Sequence, residues 1–300
     1  MSMYIRGKLS ATLEFDGSLA SWDGLVSKGG YKFKRVCVDQ ITPGMLRQLY
    51  EKHTKIEELR IAGTALEGKD LEEIGNHLRK LKVLHIKVEK DGHQMVTFLE
   101  RLSKLRHLKM ESDGESGFYG GYNWLNFSSQ FHPLEVLELD NMAQSNPGLS
   151  WYNWFKHFPY LKTIKLKNCV LNHSIDFIAQ ISWLEKLDCL VLDGVYDRIG
   201  TFDNYPKNPN PNNIKVLKVR GDTMLARELA ALLEGCPNLE KVYLLNMDVT
   251  QRDVLEVLQR KVENFDGFLL NDNEVWSDAT LEDVKYFIDG CKDLSKSYQL

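Results

Sequence analysis

Long apolar runs, paired cysteines and an excess of basic residues are all missing from this 300-residue chain. No stretch reaches the roughly 18 consecutive apolar residues of a membrane-spanning helix. Met1-Ser2-Met3-Tyr4-Ile5-Arg6-Gly7-Lys8 does not lead into the roughly 7–15-residue apolar stretch of a secretory signal. The expected location is therefore intracellular, cytoplasmic or nuclear. The five cysteines, Cys37, Cys169, Cys189, Cys236 and Cys291, are widely spaced and odd in number, whereas disulfide frameworks and zinc sites use close, paired spacings. Reduced thiols are expected. Without a secretory signal the glycosylation triplets Asn126-Phe127-Ser128 and Asn172-His173-Ser174 carry little weight. Lys and Arg number 38 against 42 Asp and Glu, a formal net charge of −4. That balance argues against bulk nucleic-acid binding, in which accumulated cations neutralise phosphates.

Familiar catalytic signatures are missing as well. The sequence holds no phosphate-cradling Gly-x-x-x-x-Gly-Lys-Ser/Thr, no His-Glu-x-x-His and no Cys-x-x-Cys. Gly114-Glu115-Ser116-Gly117-Phe118 fails the nucleophile-elbow pattern because its fifth residue is Phe. A non-catalytic protein is expected, with no catalytic residue, cofactor or metal assigned.

What the chain does have is periodicity. An apolar–x–x–apolar–x–apolar pattern begins at Phe33, Ile56, Leu81, Leu105, Leu134, Leu161, Leu187, Ile214, Leu239 and Phe265. Successive starts lie 23, 25, 24, 29, 27, 26, 27, 25 and 26 residues apart, the spacing of leucine-rich repeats. One such hexapeptide is a common accident, but ten in near-constant phase are not. In each unit the last two apolar positions are two apart, so they share one side of a short strand while the residues between them point outward. A strand this short cannot bury its own apolar side. Stacking it on its neighbours creates a continuous core, with parallel strands lining one wall.

The rest of each unit reads as a return helix. Leu225, Leu229, Leu232 and Leu233 carry the inward stripe of a helix within Met224 to Cys236. Val254, Leu255, Leu258 and Val262 repeat it after a capping-like Thr250-x-x-Asp253, and Leu281, Val284, Ile288 and Cys291 repeat it again. The expected fold class is α/β: a leucine-rich-repeat solenoid, or horseshoe, of about 10–11 repeats with parallel strands on the concave face and helices on the convex face.

Two segments carry a family likeness. Gly235-Cys236-Pro237-Asn238-Leu239-Glu240-Lys241-Val242-Tyr243-Leu244 and Leu161-Lys162-Thr163-Ile164-Lys165-Leu166-Lys167-Asn168-Cys169-Val170-Leu171 resemble the cysteine-containing repeats of F-box/leucine-rich-repeat proteins, in the ribonuclease-inhibitor-like class. Gly290-Cys291-Lys292-Asp293-Leu294 looks like the opening of an eleventh unit. The resemblance covers residues 33–300 and implies substrate recognition for a ubiquitin ligase. The chain departs from that pattern in two places. The turn position eight residues after the start holds Thr64, Met142, Val195 and Met247 in place of Asn or Cys. Residues 1–32 do not supply the leucine-rich helical segment with which the family docks on its ligase adaptor.

The domain division expected is an N-terminal cap over residues 1–32, including a possible strand Ala11-Thr12-Leu13-Glu14-Phe15 followed by Trp22, and then a repeat domain over 33–300 that includes a C-terminal cap. Three connections are long or turn-rich. Glu111 to Pro133 interleaves glycines with Phe118, Tyr119, Tyr122, Trp124 and Phe127; Met142 to Tyr160 holds Trp151, Tyr152, Trp154, Phe155 and Phe158; Gly194 to Asn213 includes Tyr205-Pro206-Lys207-Asn208-Pro209-Asn210-Pro211. Trp124, Phe127, Trp154, Phe155 and Phe158 read as substitutes for core leucines. Phe118, Tyr119 and Tyr122, flanked by glycines, are the loop candidates for binding.

The repeat phase also names the outward positions. A central column runs Cys37, Arg60, His85, Lys109, Glu138, Lys165, Val191, Lys218, Tyr243, Leu269, with Lys87, His107, Lys167, Arg220, Lys241 and Leu245 beside it. Arg60, His85, Lys87, His107 and Lys109 are expected to form a basic area diluted by Glu58 and Glu111. Val191, Val216, Tyr243, Leu245 and Leu269 are expected to form an apolar area edged by Lys218, Arg220 and Lys241. His85 and His107 fall on adjacent strands with no acidic or thiol partner in view, which marks them as surface residues. A mixed cationic and aromatic face suits a protein or peptide partner, bound by a monomer. Partner contacts are expected at Arg60, His85, Lys87, His107, Lys109, Phe118, Tyr119, Tyr122, Lys165, Lys218, Arg220, Tyr243, Leu245 and Leu269. The alternatives are a stand-alone regulator or inhibitor scaffold, or an RNA- or phospholipid-binding repeat protein.

Overall fold

The computed structural model describes residues 11–15, 22, 26, 32–89, 95–112, 132–142, 155, 157–171, 174–197, 211–221, 226–246, 252–261 and 264–270. The chain forms two compact units, Met1–Leu149 and Ser150–Leu300. Both have α/β leucine-rich-repeat architecture.

In the first unit the elements run β1 (Ala11–Phe15), β2 (Phe33–Val38), α1 (Pro43–Lys52), β3 (Glu58–Leu66), α2 (Gly68–His77), β4 (Val83–Val88), α3 (Met95–Arg101), β5 (His107–Ser112) and β6 (Val136–Asp140). The strands lie in chain order and pair in parallel. Their register aligns Leu13, Val36, Leu59, Leu84, Leu108 and Leu137 from β1 to β6, and all six are buried. The expected apolar spine is thus a physical column. β1 extends it one strand beyond the ten units read from the sequence, and Trp22 and Val26 after it are fully buried.

The return helices cover this spine through Leu46 and Leu49 of α1, Leu71 and Ile74 of α2, and Phe98 and Leu99 of α3. Thr42 starts α1: its Oγ1 accepts from Met45 N at 3.2 Å and Pro43 opens the first turn, where its missing N–H costs nothing. Gly75 on α2 has a packing reason, since a Cβ there would stand 2.9 Å from Phe98 O and 3.1 Å from Phe98 Cα. Only glycine lets α2 and α3 approach this closely.

The second unit runs β7 (Thr163–Lys167), β8 (Val170–Leu171), α4 (Ser174–Ile181), β9 (Cys189–Asp193), β10 (Tyr196–Asp197), β11 (Val216–Arg220), α5 (Ala226–Glu234), β12 (Lys241–Leu245), α6 (Arg252–Lys261) and β13 (Gly267–Leu270). Its main sheet has the order β7–β9–β11–β12–β13, all parallel, and β8 and β10 form a separate parallel pair. Ile164, Leu190, Leu217 and Val242 align as one buried column, and Leu166, Leu192, Val219 and Leu244 as another. Phe177, Ile178 and Ile181 of α4, Leu229, Leu232 and Leu233 of α5, and Val254, Leu255 and Leu258 of α6 pack inward. Phe155 and Phe158 are buried too, as core substitutes should be. Trp124, Phe127, Trp154, Val262 and the helix read at Leu281–Cys291 lie outside the described residues.

The ten start residues, from Phe33 to Phe265, are all at most 5% exposed. The turn chemistry differs from the sequence expectation. In the five units that start at Leu134, Leu161, Leu187, Ile214 and Leu239, the seventh residue after the start follows the strand with a positive φ: Asn141 (54°), Asn168 (49°), Gly194 (60°), Gly221 (110°) and Asn246 (52°). Asn and Gly are the residues that take this conformation most cheaply. The residue eight after the start, where Asn or Cys was sought, is buried at Met142, Cys169 and Val195, of which Cys169 alone is of the type sought, and half-buried at Thr64, whose Oγ1 accepts from Ile41 N at 2.9 Å. The turns are linked, since Asn168 N donates to Asp193 O, Gly194 N to Arg220 O and Gly221 N to Leu245 O, at 2.7, 2.8 and 2.9 Å.

Cys169 and Cys236 are small core residues, whereas Cys37 and Cys189 are half-buried at outward strand positions. Cys37, Cys169, Cys189 and Cys236 are free thiols. Burial pushes the Cys236 thiol up to about 11, and its Sγ donates to Leu232 O at 3.0 Å. α5 and α6 are joined by Lys261, whose Nζ donates to the carbonyls of Leu233 (2.6 Å), Glu234 (3.3 Å) and Cys236 (3.0 Å). A cation thereby meets the negative end of the α5 dipole.

Candidate interaction faces of the two sheets

Alternate residues of each strand face away from the helices, and parallel register stacks them into columns. In the first unit one column runs Cys37, Arg60, His85, Lys109, Glu138; another runs Arg35, Glu58, Val83, His107, Val136; a third aligns Lys87, Glu111 and Asp140. Arg60, His85, Lys87, His107 and Lys109 therefore come together as expected. The area they form is not basic. On β2 to β6 the outward cations Arg35, Arg60, Lys87 and Lys109 are matched by Glu58, Glu111, Glu138 and Asp140. Glu58 takes both arginines, with Arg35 Nε at 3.2 Å and Arg60 Nε at 2.6 Å.

The histidine pair is correctly placed on adjacent strands, with ring centroids 4.5 Å apart and planes at 67°. Its expected lack of an acidic neighbour is overturned: Glu138 Oε1, from the next strand, lies 3.2 Å from His107 Nε2. Burial first, then the Arg60 charge, holds the His85 imidazole down to about 4. His85 is therefore neutral near pH 7 and adds no charge. Among the described residues no group of three or more His, Cys, Asp or Glu side chains is arranged to hold a metal ion.

In the second unit the central column runs Lys165, Val191, Lys218, Tyr243, Leu269; beside it lie Lys167, Asp193, Arg220, Leu245 and Thr163, Cys189, Val216, Lys241. Five cations, Lys165, Lys167, Lys218, Arg220 and Lys241, here meet a single acid, Asp193. Val191, Val216 and Tyr243 are half-buried between them. The expected apolar area shrinks accordingly. Leu245 is only 3% exposed and offers no contact surface: it is the last strand residue before the Asn246 turn, where an apolar side chain gains by being covered rather than presented to water. The Leu269 side chain, Phe118, Tyr119 and Tyr122 lie outside the described residues.

Outward-column reasoning does not reach two aromatics away from the sheet. Trp183 (60% exposed) and Tyr160 (43%) are the large hydrophobics most open to solvent among the described residues. Lys186 Nζ stands 4.3 Å above the Tyr160 ring. Trp183 follows α4, on a segment whose repeat phase predicts no outward residue. Among the described residues no helix is long and apolar enough to cross a membrane.

No protein-family model matches the chain, and no curated protein matches it. Among solved structures it is similar to one described as a TLR13–ssRNA13 complex, at 12% sequence identity and a TM-score of 0.25, over 80% of this chain. The chain spans 44% of the length of that one. The repeat architecture stands on the register and burial of this chain itself.

Proposed function

We propose that this protein is a non-catalytic scaffold that binds a protein or peptide partner through the outward side chains of its parallel strands. The carrying observation is the outward face of the second unit, where half-buried Val191 and Tyr243 alternate with Lys165 and Lys218 in one registered column. Apolar surface framed by cations is the composition of a protein-recognition patch. Rigid parallel strands hold such a column in fixed geometry, which lowers the ordering cost of binding.

Cross-linking mass spectrometry on the complex taken from its native cell tests this reading. Amine-reactive links from the partner are expected at Lys165, Lys218 and Lys241; links confined to helix-side lysines such as Lys52, Lys69 and Lys186 would refute it. The finer reading, substrate recognition for a ubiquitin ligase, draws its support from the resemblance of residues 161–171 and 235–244 to F-box/leucine-rich-repeat units. Co-purification of a ligase adaptor with the full chain supports it, and a stable partner without any ligase subunit favours the stand-alone regulator.

A further inference from the structure

We infer that the outward face of the second unit takes an acidic, partly apolar polypeptide segment. This deepens the proposed function, on which it rests, by naming the partner's chemistry. Lys165 and Lys167 stand on β7, and Lys218 and Arg220 stand two strands away on β11. Ideal sheet geometry separates the residues of each pair by about 6.6 Å along the strand and the two pairs by about 9.6 Å across it. Four cations therefore sit at the corners of a rectangle, with Val191 and Asp193 of β9 on its midline and Lys241 and Tyr243 of β12 alongside. The first unit, built on the same repeat, carries equal numbers of each charge at its outward positions on β2 to β6, so the excess belongs to one face and not to the repeat. It also stands against a chain whose net charge is −4.

The arrangement fits a peptide better than a nucleic acid. Asp193, aligned between Lys167 and Arg220, repels an uninterrupted phosphate backbone but accepts hydrogen bonds from peptide N–H groups. Val191 and Val216 give a phosphodiester no favourable contact, yet they match the apolar side chains that alternate with carboxylates in an extended acidic segment. Tyr243 adds an aromatic surface at the edge of the same column.

The test uses the full chain and three fluorescent probes: a Glu/Tyr copolymer, a Lys/Tyr copolymer and a short single-stranded RNA. Only the Glu/Tyr copolymer is expected to bind with an affinity that falls as salt rises. The pair Lys165→Glu and Lys218→Glu should weaken it by about tenfold or more, and Lys165→Gln with Lys218→Gln by less. Lys69→Glu, on the helix side, should leave it unchanged, and far-UV circular dichroism checks that each variant is folded. Equal binding by the charge-reversed variant, tighter binding of the RNA, or no binding of the Glu/Tyr copolymer would overturn the inference. If partner cross-links still map to Lys165 and Lys218, those results sink only the acidic-peptide chemistry; if the cross-links map elsewhere, the scaffold reading falls with it.

Discussion

Acid should destabilise the first unit through one buried imidazole. His132 lies two residues before the start residue Leu134, is 5% exposed, and its Nε2 is 3.1 Å from Leu99 O. With the proton on Nε2, the neutral ring donates to that carbonyl near the end of α3. Burial, the main cause, holds its pKa down to about 4 from an ordinary 6.5, although the Leu99 and Leu102 backbone pulls the other way. The folded value lies below the unfolded one, so the stabilising contribution is complete above about pH 6.5 and is lost as pH falls through the window from 6.5 to 4. At pH 5 the unfolded chain has taken up a proton that the folded chain refuses, a loss of about 2 kcal/mol. By pH 4 the loss approaches the order of 3 kcal/mol. Urea unfolding followed by circular dichroism at pH 7.5 and pH 5 reads this directly, with His132→Gln as the comparison. The glutamine amide can still donate to a carbonyl but does not titrate. Carboxylates and the other histidines titrate alike in both proteins, so the difference between the two pH dependences isolates His132. Where the two units unfold separately, the effect belongs to the transition of residues 1–149. Equal losses of stability in both proteins between the two pH values would refute the reasoning.

Two further substitutions test the packing. Gly75→Ala places a methyl group against the Phe98 backbone at 2.9 Å, and the resulting separation of α2 and α3 should cost about 1–3 kcal/mol, seen as a lower thermal midpoint. Lys261→Met keeps the apolar stem but removes the donor shared by the Leu233, Glu234 and Cys236 carbonyls. A stability loss of about 1–3 kcal/mol is expected, with faster amide exchange near the end of α5; unchanged exchange there would show that the lysine does not cap the helix.

The apolar phase was legible because it depends on one residue at a time. A Leu at the first, fourth or sixth position of a unit has to be buried for a short strand to persist, and the ten start residues from Phe33 to Phe265 are buried accordingly. Turn chemistry was legible only one position away from where it was sought. Asn141, Asn168 and Asn246 take positive φ seven residues after the start, as do Gly194 and Gly221, while the next residue is a core step at Met142, Cys169 and Val195. Asn or Gly stands there in five successive units, and left-handed backbone is the physical reason both residue types serve. The charge of a face was not legible from any one repeat, because it depends on what the register brings from the next. Glu138 reaches His107 only because β6 is the parallel neighbour of β5. His85 keeps its neutral form because of burial, reinforced by Arg60 from β3. Leu245 obeys the outward alternation in sequence yet is covered where its strand ends. An outward position therefore predicts exposure in the middle of a strand, and at its end the side chain decides, with Lys167 exposed and Leu245 covered. The proposed contacts that stand on firmest ground are accordingly those at Lys165, Val191, Lys218 and Tyr243, which sit mid-strand on β7, β9, β11 and β12.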